Sequence, residues 1–259
     1  MKIMYNTTEK CIIDIHSHFN IGSKFDCPET EIHKRNFNFM LEDYDNCGIS
    51  VGAFCPYSSV LWDGESGIYD DNEYMFQLAK DNDRIYQWVV LDPRQDKLFP
   101  QIRKMICGEK VLGIKIHSVY HKYDIDEYAN KIFSFADELG CFVLMHPDKI
   151  SNMVQYADKY PNMKLIIAHL GSVEHVKAIQ SAKHGNIFTD TSGGVTNLNN
   201  IVEYAVEQVG SEKIFFGTDT YACGFQVGRI KYARISEKDK ENIFYNNAKK
   251  HFNKQFQNL

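Results

Sequence analysis

The 259-residue sequence has no run approaching the roughly 18 apolar residues of a membrane span, and its opening MKIMYNTTEK lacks the apolar stretch of a secretory signal. Both absences lead us to expect a cytoplasmic protein with no membrane partner. There is no extended basic tract either. Acidic residues outnumber basic ones 34 to 29, for a net charge of -5, so nucleic acid is set aside as a partner. No CxxC pair occurs among the seven cysteines (Cys11, Cys27, Cys47, Cys55, Cys107, Cys141, Cys223), and an odd, widely spaced set reads as reduced thiols, not a disulfide framework. Neither a GxGxxG nor a Walker pattern is present, so Gly193-Gly194 reads as a turn and not as a phosphate cradle. The six prolines are scattered and no linker, repeat or low-complexity stretch divides the chain. One domain over residues 1–259 is expected, with its core from about 11 to 256.

What is present is the composition of an ordinary globular chain, 44% hydrophobic and 24% charged. At this length a single barrel-sized domain can bury roughly three quarters of its unfolded surface. Short apolar runs recur, each followed by a polar or glycine-rich turn and a helix-like segment, which is the alternation of βα units. The runs are Cys11 to His16, Ile49 to Cys55, Ile85 to Leu91, Val111 to His117, Cys141 to His146, Lys164 to His169, Asn186 to Asp190 and Lys213 to Asp219. Their ends follow one another at roughly 20 to 40 residues, the length of a strand, a helix and two loops. Helical spacing is clearest over Glu73 to Asp81, Glu127 to Gly140 and Ile201 to Gly210, and a further helix is expected from about Glu31 to Cys47. Eight such units point to a (β/α)8 TIM barrel. An open doubly wound sheet is the alternative, and it would gather reactive residues at one crevice only.

The polar residues interrupting these runs fall at one end. His16 closes the first run with His18 two further on; Lys115 and His117 close the fourth, His146 the fifth, His169 the sixth, Asp190 the seventh and Asp219 the eighth. In a barrel these ends meet at one mouth. A period of two puts His16 and His18 on one face, with Ile13 and Ile15 against the helices, and treats Lys115 and His117 likewise. Asp14 then lies inward, placed to support a histidine. A lone histidine at a strand end is commonly just hydrogen-bonded. Imidazoles at strands one, five and six with a carboxylate at eight are better explained by a divalent cation, zinc first, with manganese, iron, cobalt or nickel as alternatives.

These residues resemble the amidohydrolase superfamily, in particular the amidohydrolase-related branch that also contains decarboxylases and lactonases. IIDIHSHFNIG resembles its first-strand HxH motif; GIKIH, VLMHP, IIAHLG and FFGTD resemble the fourth, fifth, sixth and eighth strand ends, and ISEKDKENIFYNNAKKHF its closing helix. The resemblance spans about residues 11 to 256. It implies that His16, His18 and His146 are metal ligands and that Asp219 is both ligand and general base. His169 becomes either a ligand of a second metal or an acid/base group beside the first. In two-metal members a lysine at the end of the fourth strand is carbamylated and bridges the metals. Lys115 stands there, yet GxKxH also occurs in single-metal relatives, and one metal is favoured here. An unmodified Lys115 would pair with a substrate carboxylate or with Asp14 or Asp190, since a buried ammonium needs a partner. His117 is a substrate-side candidate.

Expected chemistry follows. A divalent metal makes hydroxide available near neutral pH, and Asp219 moves the proton while His169 or Lys115 steadies the oxyanion. The leading expectation is hydrolysis of an amide, ester or lactone in a small substrate; the alternative is decarboxylation of a small enol or aromatic acid. A metal-binding sensor without turnover and a TatD-like nuclease rank lower, the latter because Lys115 stands where a glutamate is expected. Tyr57, Trp62 and Tyr69 follow the second strand and suit a substrate lid or, equally, packing on the rim. Arg94 would grip a carboxylate or, more commonly, form a surface ion pair. Cys55 and Cys223 read as buried inert thiols, and His121, His175 and His184 as solvent-exposed. The resembled branch commonly forms homodimers, and no interface signature in the sequence decides this.

Overall fold

A computed structural model describes residues 11–22, 37–61, 67–194, 198–220 and 223–259. Eight strands pair in parallel and in chain order: β1 (Ile12–Phe19), β2 (Ile49–Pro56), β3 (Ile85–Val90), β4 (Val111–Ile116), β5 (Phe142–Met145), β6 (Lys164–Ile167), β7 (Ile187–Asp190) and β8 (Ile214–Phe215). The first and last strands meet through backbone bonds, the Ile15 amide donating to Phe216 O at 3.0 Å and the Asp219 amide to His16 O at 2.7 Å. This closes the (β/α)8 barrel, and the open-sheet alternative falls. The helices are α1 (Phe37–Cys47), α2 (Tyr57–Leu61), α3 (Ile68–Asp81), α4 (Leu98–Met105), α5 (Ser118–His121), α6 (Ile125–Leu139), α7 (Ile150–Lys159), α8 (Val173–Ser181), α9 (Ile201–Val209), α10 (Cys223–Lys231), α11 (Glu237–Glu241) and α12 (Asn247–His251). The expected helix start near Glu31 lies outside the described residues. Among the described residues no helix is long and apolar enough to cross a membrane.

Local signals explain the joints. Helix α6 begins where the Asp124 side chain accepts the Asp126 amide and ends at Gly140, whose φ of 60° suits a residue without Cβ. A side-chain cap of that kind stabilises a helix by about 1 kcal/mol. The end of the barrel opposite the mouth is filled by rings. Phe252, just after α12, packs on Phe142 at 4.5 Å, on Phe215 at 5.9 Å and on Trp88 at 6.0 Å, and Phe256 packs on Tyr86 at 4.6 Å. Trp88 is fully buried and donates its indole N–H to Ile15 O at 2.6 Å.

The first strand departs from simple alternation. Asp14 pairs with Gly52 and Ser17 with Phe54, so three steps along β1 match two along β2, the signature of a bulge. Ile13 and Ile15, expected against the helices, instead share a core cluster with Val51 and Trp88. Asp14, expected inward, turns to helix α1 and accepts from Tyr44 Oη at 2.6 Å as well as from the Thr218 amide at 3.1 Å. Burial pushes its carboxyl up to about 7, against the pull of hydrogen bonds from Thr218, Tyr44 and the His16 amide. The bulge returns His16 and His18 to the mouth.

Candidate metal centre

Strand ends β1, β6, β7 and β8 converge on one carboxylate. Asp219 Oδ1 lies 3.1 Å from His18 Nε2 and 3.7 Å from His16 Nε2, while its Oδ2 lies 3.9 Å from His169 Nε2. In each ring the other nitrogen is engaged. His16 Nδ1 meets Asp190 Oδ2 at 2.9 Å, His18 Nδ1 meets Cys55 O at 3.0 Å, and His169 Nδ1 meets Ser192 Oγ at 2.8 Å. His169 and Asp219 both adopt left-handed backbone conformations, φ 62° and 56°, which non-glycine residues hold only when their surroundings enforce it. Ligand-capable atoms of His16, His18 and Asp219 lie within 4.8 Å of one another, and so do those of His16, His169 and Asp190. In the second triple Asp190 is already bound to the outer nitrogen of His16, so the first is the better cation site. Nitrogen and carboxylate donors whose outer imidazole nitrogens are anchored fit a borderline divalent metal.

Electrostatics set the two β1 rings apart. Burial, assisted by Lys115, holds His16 down to about 3 against the pull of Asp190, so it is a neutral ring at neutral pH. Burial likewise works against charge on His18, but Cys55 and Asp219 outweigh it and lift that ring to about 10. Asp219 is itself desolvated, yet His169, His18 and His16 hold it far below the usual carboxylate range. Lys115 is 1% exposed, and burial lowers it; its Nζ lies 3.0 Å from His16 Nε2. Among the described residues Lys115 makes no ion pair with Asp14, Asp190 or any other carboxylate, so of the partners expected for an unmodified lysine the two aspartates are not used here. A metal on His16 would take the lone pair that Lys115 now faces, so the ammonium must turn toward another acceptor.

His146 stands apart from the Asp219 cluster. Its ring stacks on His117 at 4.1 Å and meets His169 edge-on at 5.0 Å, and burial with His169 beside it holds it down to about 3. His117 caps α5 by accepting the Tyr120 amide at 3.2 Å. Tyr57 is buried against His18, ring centroids 5.1 Å apart, whereas Tyr69 is 37% exposed. Trp62 lies outside the described residues. Arg94 does not reach for a ligand: it holds Asp92 through Nε and one Nη and donates to His121 O at 2.7 Å, the ion-pair outcome. His121 and His175 are buried, not solvent-exposed, each donating its Nε2–H to a backbone carbonyl, Ser59 O and Ala168 O respectively. His184 is exposed as expected. Cys223 is buried, and Cys55 is buried too but not isolated, with Sγ 3.2 Å from His18 Nδ1. Ser192 escaped sequence reasoning because a serine after a strand carries no metal signal; its spacing of two from Asp190 was the available clue.

With this geometry in place, a family model described as Amidohydrolase matches residues 13–254. The chain belongs to the amidohydrolase family. No curated protein matches the amidohydrolase chain. Solved structures share its fold at low identity. The 5-carboxyvanillate decarboxylase of Sphingomonas paucimobilis superposes with a TM-score of 0.75 at 16% identity, over 94% of this chain and 99% of that one. The 5-carboxyvanillate decarboxylase of Novosphingobium aromaticivorans, complexed with manganese and 4-hydroxy-3-methoxy-5-nitrobenzoic acid, gives 0.71 at 14%, over 94% and 96%. A probable 2-pyrone-4,6-dicarboxylic acid hydrolase of Acinetobacter baumannii with citric acid bound gives 0.69 at 15%, over 94% and 100%.

Proposed function

We propose that this amidohydrolase is a metal-dependent decarboxylase of a small aromatic or enol acid. The observation that carries the reading is Lys115, buried and, among the described residues, without an ion pair beside the His16–His18–Asp219 cluster, a cation that calls for an anionic substrate group. Likeness in fold to decarboxylases of aromatic acids supports it. His16, His18 and Asp219 hold one divalent metal, with His146 as the further ligand. Manganese comes before zinc, because the donors include no thiolate and similar folds carry manganese. When bound, that cation supplies Lewis-acid polarisation of oxygen donors.

The chain's own groups do the rest. Lys115 leaves His16 and pairs with the substrate carboxylate. Tyr57 and the His117–His146 stack flank a flat ring, an arrangement that favours offset stacking. Asp219 takes a proton from solvent water, with His169 Nε2 at 3.9 Å as its neighbour on the transfer path, and delivers it to the carbon bearing the carboxylate. The C–C bond then breaks, its electron pair restores the ring, and carbon dioxide leaves. Hydrolysis, the leading expectation from sequence, becomes the second reading. It is favoured by the strongly ionised state of Asp219, which suits a base that takes a proton from water.

Manganese-loaded protein should release carbon dioxide from 5-carboxyvanillate, 2,6-dihydroxybenzoate or a related hydroxy acid. Run in 18O water, the organic product should carry no label. Ring opening of a lactone with label in the product and no carbon dioxide from any acid would replace this reading with hydrolysis.

A further inference from the structure

The segment Asp190-Thr191-Ser192-Gly193 after β7 does more than end a strand. Asp190, fully buried, accepts at Oδ2 from His16 Nδ1 and at Oδ1 from the backbone amides of His169 (3.0 Å) and Ser192 (2.9 Å). Ser192, also fully buried, has its Oγ 2.9 Å from His16 Nδ1, 2.8 Å from His169 Nδ1 and in a short contact with Asp190 Oδ1. Gly193, at φ 75°, leaves room for the ring: a Cβ there would sit 2.8 Å from His169 Nδ1.

Counting protons fixes the rest. A hydroxyl has one hydrogen, and the carboxylate of Asp190 can only accept, so Ser192 donates to Asp190. Its lone pair must then receive the Nδ1 hydrogen of His169, while His16 gives its own Nδ1 hydrogen to Asp190 Oδ2. His16 and His169 therefore each carry a proton on Nδ1 and turn Nε2 toward Asp219. Lys115 Nζ, 3.0 Å from His16 Nε2, faces the lone pair that this tautomer leaves there.

We propose that Asp190 and Ser192 are a positioning pair that fixes the tautomers of His16 and His169 together, so that the metal-side and proton-side imidazoles are set by one clamp. The proposal rests on the reading of His16 as a metal ligand only for its consequence on affinity. The tautomers themselves belong to the metal-free protein.

Two variants separate the members. In Asp190→Asn the amide oxygen is retained by the two backbone donors, so the amide NH2 faces His16 Nδ1 and forces the proton onto Nε2. A ring protonated there cannot ligate. In Ser192→Ala, His16 keeps Asp190 while His169 loses its acceptor. Long-range 1H–15N correlation on metal-free protein near neutral pH, with rings assigned through His16→Gln and His169→Gln, should show Nδ1–H for both rings in the wild type. It should show an inverted His16 in Asp190→Asn and a mixed His169 in Ser192→Ala. Manganese affinity should fall about tenfold to a hundredfold in Asp190→Asn and less in Ser192→Ala. A folded Asp190→Asn with wild-type tautomer and affinity overturns the proposal. Should that variant fail to fold, an unchanged His169 tautomer in Ser192→Ala overturns it alone. Neither outcome depends on whether the enzyme releases carbon dioxide, so the clamp and the decarboxylase reading fail separately.

Discussion

Two sides of the barrel mouth are built differently. On the side formed by β6, β7, β8 and β1, His16, His18 and His169 each have one nitrogen tied to an acceptor and the other facing Asp219. On the β4–β5 side, His117 and His146 meet mainly through their faces, and His117 Nδ1 accepts from the Tyr120 amide. An anchored imidazole presents a fixed lone pair, as a metal or a proton path requires. A stacked imidazole can shift with whatever lies over it. The mouth is thus divided into a rigid chemical half and an adaptable half suited to the substrate.

The largest effect should come from the rigid half. Asp219→Asn removes the carboxylate toward which three Nε2 atoms turn, and general acid/base groups of this kind contribute about 10²- to 10⁴-fold. Turnover should drop by that order with the fold intact by circular dichroism. Activity within tenfold of wild type would remove Asp219 from the proton path under either reading.

Next come the ligands, which test the division directly. His16→Ala should purify with little bound manganese after exposure to excess metal. His146→Ala should keep measurable metal at reduced affinity, because its ring must first leave the His117 stack to ligate. Equal losses in both, measured by elemental analysis, would show that the two sides hold the ion alike and erase the distinction.

How far this was legible in sequence depended on periodicity. All eight strands were marked by apolar runs, six of them ending in a histidine or an aspartate, and Gly140 announced the end of α6. The strand ends carried His16, His18, His169 and Asp219 to one place because parallel strands in a closed barrel have no alternative. What failed was orientation inside β1. An alternation rule has no means of seeing a bulge, so Asp14 was put inward and Ile13 outward. The burial of His121 and His175 was missed for a related reason: each is held by a backbone carbonyl from another segment or turn, Ser59 or Ala168, and such partners leave no residue-type signal. Arg94 and Asp92, two apart in the sequence, could have been paired from spacing alone.

That last pair supplies the smallest expected effect, on the adaptable side. Asp92 is buried; its desolvation favours protonation, but bonds from the Arg94 side chain and backbone outweigh this and hold the carboxyl below its ordinary value near 3.9. A depressed folded-state value means that the pair stabilises the fold above the unfolded value and loses that contribution as pH falls through the folded one. Wild-type Tm should therefore decline on acidification below about pH 4 more steeply than that of Asp92→Asn, which has no such proton to take up. Because Arg94 is one-third exposed, solvent screening keeps the contribution modest, at most about 1 kcal/mol. Turnover should change little, since Arg94 is engaged with Asp92 and His121 O and not with the Asp219 cluster. A large loss of kcat in Asp92→Asn at unchanged Tm would instead place Arg94 at the substrate and move the border between the two halves of the mouth.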